Sequence, residues 1–80
     1  MDEKNLQHYL EEITGLLKDN AKKAKIDADK PQKKTSSDYN TGYLMAYYQM
    51  ISTMKNQAPF FDLKQEEVGL ADIEPERDLL

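Results

Sequence analysis

Few residues in this 80-residue chain combine a reactive type with a useful spacing. His8 is the single histidine, and Glu11 and Glu12 follow it three and four positions on. On a helix that spacing puts an imidazole and a carboxylate on one face, where they could share a metal ion. Two ligands do not make a site, and a histidine beside glutamates at a helix start is ordinary solvated surface. A di-iron carboxylate bundle would need an acid three residues before His8, and that position is Asn5. No metal and no cofactor are therefore expected.

Nucleophilic chemistry fares no better. With no cysteine there is no thiol nucleophile, thiolate metal site or disulfide. Gly15, Gly42 and Gly69 are isolated, so no phosphate-binding loop is encoded. The lone histidine lacks the context of a general base, and the carboxylate pairs read as surface helix residues. The expectation is a protein without catalytic residues, one that is not an enzyme.

Large uncharged side chains crowd into one stretch, YNTGYLMAYYQMISTM at residues 39–54. It holds four tyrosines and three methionines, and no acidic or basic residue interrupts it. A tyrosine that did chemistry would need a cation to shift its pKa, and the helix expected over about 37–57 carries only Lys55. Tyrosine and methionine are favoured where proteins touch each other, so this stretch reads as packing or interface surface. The named interface candidates are Tyr39, Tyr43, Leu44, Tyr47, Tyr48, Met50, Ile51 and Met54.

Charge is segregated along the chain. Residues 18–34 carry seven lysines against three aspartates, and residues 62–80 carry seven acids against two bases. The lysine-rich stretch has no arginine or aromatic residue interleaved to read bases, and the formal net charge is −4, so nucleic acid is not an expected partner. The acidic tail could dock on a basic protein partner through Glu74, Glu76 and Asp78.

The elements that must position these groups are few and long, because three glycines and three prolines leave little material for turns. Leu6, Leu10, Ile13, Leu17, Asn20 and Ala24 recur at alternating steps of four and three, which predicts a helix over about 4–28, with Tyr9 and Leu16 widening its seam. Asp2 and Glu3 at its start and Lys22, Lys23 and Lys25 near its end match the helix dipole. Pro31 forces a break, and about 29–35 reads as a connection. A second helix of about 37–57 follows, capped by Ser36, Ser37 or Asp38 and ended by Pro59. Its seam is Tyr43, Tyr47, Met50 and Met54. Gly42 and Ala46 would allow a close helix approach at one edge. Phe60, Phe61 and Leu63 could fold back over the same face. Asp62 with Gln65 suggests a capping box for a short third helix of about 63–68, closed by Gly69. Leu70, Ile73, Leu79 and Leu80 are the apolar residues with which the acidic tail could touch the rest.

The expected architecture is thus all-α and a single small domain over 1–80. It is an antiparallel helical hairpin with a short third helix and an acidic C-terminal tail. A domain this small buries only about 60% of its unfolded surface, and the apolar arc of the second helix is wider than one neighbour covers. A homodimer forming a four-helix bundle is the natural remedy. The start of the chain is too polar for a secretory signal, and no apolar run approaches bilayer length, so a cytoplasmic protein without membrane contact is expected. In general build the chain looks like the small acidic helical proteins found beside bacterial toxins, which implies a bacterial source. The expected role is non-enzymatic protein–protein interaction, as an inhibitor or immunity-type protein for a basic partner. The alternatives are an adaptor that binds a target helix on the Tyr/Met face, and a bundle that binds a lipid or small molecule there.

Overall fold

The computed structural model describes residues 3–80 and is all-helical among them. Helix α1 spans Glu3–Asp29 and α2 spans Lys34–Gln57. A 3₁₀ turn at Ala58–Phe61, a second at Gln65–Val68 and the single turn α3 at Pro75–Asp78 complete the chain. The two long helices pack against each other as an antiparallel hairpin, drawn out to 48 Å in length and 21 by 16 Å across.

Both long helices outrun the expected bounds, and the connection shrinks to residues 30–33. Pro31 still makes the break, but side chains shape the turn. Gln32 donates to the Asp27 carbonyl at 3.1 Å and accepts from Asn40 at 2.6 Å, tying the end of α1 to the second turn of α2. Ser36, Ser37 and Asp38 lie inside α2 and do not cap it; Lys33 occupies the cap position, with no side-chain hydrogen bond. The dipole argument also needs correcting at the C-terminal end of α1. The helix runs past its lysines, and its last turn holds Asp27 and Asp29 with no basic residue. At the other end Glu3 is in the first turn, while Asp2 lies outside the described residues.

The core is built from small residues on α1 and branched ones on α2. Ala21 and Ala24 are buried on α1, and Leu44 and Ile51 on α2, with Ala58 just past its end, recur every seven residues. Alanine brings the backbones close, so few large side chains fit between the helices. The remaining core comes from the C-terminal segment, where Val68, Leu70, Ile73 and Leu79 are buried across one face of the hairpin. Those four residues do most to cover the hairpin. Leu80, the last of the tail contacts expected, is exposed.

The return of the chain from α2 to the tail depends on two left-handed positions. Asp62 (φ 58°) ends the first 3₁₀ turn and Gly69 (φ 74°) ends the second. Gly69 has a second reason to be glycine: a Cβ there would collide with Thr14 Oγ1. Thr14 is itself buried and donates to the Leu10 carbonyl at 2.7 Å. The expected Asp62–Gln65 capping box is replaced by one two positions on, in which the Lys64 backbone N–H donates to Glu67 at 3.0 Å. Phe60 and Phe61 do not fold back; they are 80% and 72% exposed, and only Leu63 of that cluster packs on the core.

Candidate functional site

The hairpin has two faces, and the tail covers one of them. Seen from that side, α1 presents Thr14, Lys18, Ala21 and Lys25, and α2 presents Tyr48 and Lys55. Lys18 pairs with Asp72 at 2.8 Å, and Lys55 reaches both the Ile73 carbonyl and Glu74, the latter at 3.0 Å. Tyr48 donates to Glu76 at 3.1 Å, and Lys25 donates to the Leu80 carbonyl at 3.1 Å. The lysine stems lie along the apolar tail while their ammonium groups reach its acids at the rim. Such rim pairs contribute at most about 1 kcal/mol each, so their main effect is to fix where the tail sits.

The three acids proposed for a basic partner all have partners within the chain. Glu74 pairs with Lys55 and Glu76 accepts from Tyr48. Asp78 accepts from Arg77 at 2.7 Å and from the Glu74 backbone N–H at 2.9 Å. The Arg77 guanidinium, helped by that N–H, holds the Asp78 carboxyl well below the usual carboxylate range. The bond from Lys18 likewise lowers Asp72.

The opposite face is open. On α2 it carries Tyr39 (69% exposed), Tyr43 (47%) and Met50 (43%), with Tyr47 and Met54 half-buried beside them. The rings of Tyr39 and Tyr43 stack at 6.2 Å between centroids, and Tyr43 and Tyr47 tilt together at 5.3 Å. These three tyrosines make a ridge one residue per turn along the helix. On α1 the same face carries Leu6, Tyr9 and Leu16, all about half exposed, with Ile13 and Leu17 half-buried. Between the helices runs a shallow groove of about 510 Å³, lined by Leu17, Ala46, Met50 and Met54 with Gln49 and Thr53 at its edge.

The eight interface candidates therefore divide. Leu44 and Ile51 are buried within this chain, and Tyr48 turns to the tail. Tyr39, Tyr43, Tyr47, Met50 and Met54 are brought together on the open face. The α1 seam read from the sequence faces the same way. Of its six members only Ala24 is buried, while Leu6 and Asn20 are exposed. Sequence reasoning missed the tail-facing surface, where Thr14, Lys18 and Lys55 sit at positions that look polar and external. The apolar spacing Leu70, Ile73, Leu79 was the available signal for it.

The Tyr43 phenol is pushed up by its hydrogen bond to Tyr47, and that of Tyr48 by its bond to Glu76. Both shifts disfavour the phenolate a tyrosine base would need. Among the described residues no three histidine, aspartate or glutamate side chains gather as a metal site, and no helix is long and apolar enough to cross a membrane. A second, more polar depression of about 280 Å³ near the connection is lined by Asn20, Lys23, Asp27, Tyr39 and Asn40. Compared with protein-family models, curated proteins and solved structures, the sequence matches none of them.

Proposed function

We propose that this chain works by protein–protein contact and not by catalysis, and that its contact surface is the open α1/α2 face. One observation carries the reading: the tail covers one side of the hairpin and leaves the tyrosine ridge and the Met50–Met54 groove uncovered. Contiguous apolar surface of this kind is kept at interaction sites, because exposed elsewhere it promotes aggregation. Rigid tyrosines and adaptable methionines are the side chains that anchor such contacts. The acidic tail serves as the hairpin's cover. Its carboxylates are engaged within the chain, so an inhibitor that docks through Glu74, Glu76 and Asp78 would first have to break those pairs.

The same groove supports one other reading, an elongated apolar small molecule lying between Leu17 and Met54. The two are separated by placing a photo-crosslinking amino acid at Met50, and in a control at the exposed Arg77 on the tail side, in the native cell. Protein contact predicts a polypeptide adduct at Met50 and none at Arg77. An adduct with a small molecule alone, or no adduct at either position, would overturn the protein-contact reading.

A further inference from the structure

The open face has a shape, an area and a charge pattern, and together they select an occupant. The hairpin is a rod with unlike ends. At the connection, residues 22–38 hold six lysines (Lys22, Lys23, Lys25, Lys30, Lys33, Lys34) against Asp27, Asp29 and Asp38, a net of +3, and the tail's Arg77 and Asp78 near Lys22 cancel each other. At the far end lie the start of α1 and the two 3₁₀ turns. There Glu3, Glu11, Glu12, Asp62, Glu66 and Glu67 stand against Lys4 and Lys64, a net of −4. Between the two ends, the open face along α2 from Tyr39 to Met54 carries no acid or base.

We propose that a second copy of this chain covers the open face, laid antiparallel, so that the lysine end of each hairpin lies over the acidic end of the other. This rests on the reading of that face as a protein-contact surface and adds the partner and its direction. A rod 48 Å long and 16 to 21 Å wide offers a footprint on the order of 800–1,000 Å², comparable with the roughly 800 Å² per partner of a stable interface. A two-fold axis across the middle of the rod runs α2 against its own symmetry mate in the opposite direction. The Tyr39–Tyr43 end of one copy then meets the Met54 end of the other, ring against thioether, and the uncharged stretch is matched by an uncharged stretch. The parallel arrangement would bury the same area but would stack +3 on +3 and −4 on −4. Like charge at both ends costs what the antiparallel arrangement gains, and this difference sets the direction.

The experiment uses the full chain, which has no cysteine, with one added by Lys33→Cys and spin-labelled at the exposed connection. Sedimentation should show the mass rising with concentration from 9.3 kDa to twice that value. The label-to-label distance in the dimer should approach the 48 Å rod length. Raising salt from ~50 to ~500 mM, which shortens the screening length several-fold, should weaken association by about tenfold or more. Met50→Lys should give a monomer with unchanged helical circular dichroism, since Met50 lies outside the core. A label distance close to the 21 Å width would mean parallel copies and overturn the proposal. So would a monomer at millimolar concentration. If the Met50 crosslink then captured a different polypeptide, only the second copy would be wrong; if it captured none, the contact reading would fall as well.

Discussion

Two faces of one hairpin, made by the same two helices, have opposite compositions and opposite fates. The face beneath the tail is lined by Thr14, Lys18, Lys25 and Lys55, residues that read as surface, with Ala21 and Tyr48 among them. It nevertheless encloses Leu70, Ile73 and Leu79 at full burial. The other face carries Tyr39, Tyr43, Met50, Leu6, Tyr9 and Leu16, residues that read as core, and they are exposed. Apolar character alone does not decide what a small protein buries. The tail settles on the side where small residues let it approach and where lysines can meet its acids. The greasier side is left open.

The sharpest way to break this comparison is to truncate one large residue on each face. Ile73→Ala removes a completely buried side chain from the tail and leaves a cavity, so it should cost about 2–5 kcal/mol. Met50→Ala should cost under about 1 kcal/mol when unfolding is followed by urea at sub-micromolar concentration, where association does not contribute. Equal losses would mean that the two faces are equally part of the folded monomer, and the distinction would fail.

A middle-sized effect tests how the tail is held. Gly69→Ala places a Cβ in a left-handed conformation costing about 1–2 kcal/mol and pushes it against Thr14. The same substitution in a Thr14→Ala background should cost less, because the collision partner is gone. Chemical denaturation of the four proteins of this cycle gives the coupling directly. No coupling would mean that the tail can shift away from α1 without penalty.

The sequence reads well for the fold and only partly for the site. Two long helices, the break at Pro31 and the left-handed stop at Gly69 follow from local rules, and each is present. Caps were less legible. Ser36 and Asp38 looked like caps because their type favours that role, yet the Gln32–Asn40 bridge lets the helix begin earlier. The open face was visible as a tyrosine and methionine arc, but Leu44 and Ile51 belong to the same arc and are buried. Periodicity locates an apolar stripe. It does not say which edge of the stripe a distant segment will cover. The tail lies 54 residues from Lys18 along the chain, and that pairing has no local signature.

The smallest expected effect probes the shoulder of α1 that neither the tail nor the open groove claims. Gly15 lies inside α1, next to the buried Thr14, and a Cβ added there would meet nothing within 4 Å. Glycine in a helix interior costs about 0.5–1 kcal/mol relative to alanine, through the backbone freedom lost on folding. Gly15→Ala should therefore stabilise the chain by that amount, and thermal unfolding should shift upward by about 4–8 °C per kcal/mol for a domain of this size. Its sign is informative because the position is one residue from the tail contact. If the substitution is neutral or destabilising, some segment covers the shoulder in solution, and the boundary between the covered and uncovered faces lies further around α1 than Thr14 and Lys18 place it.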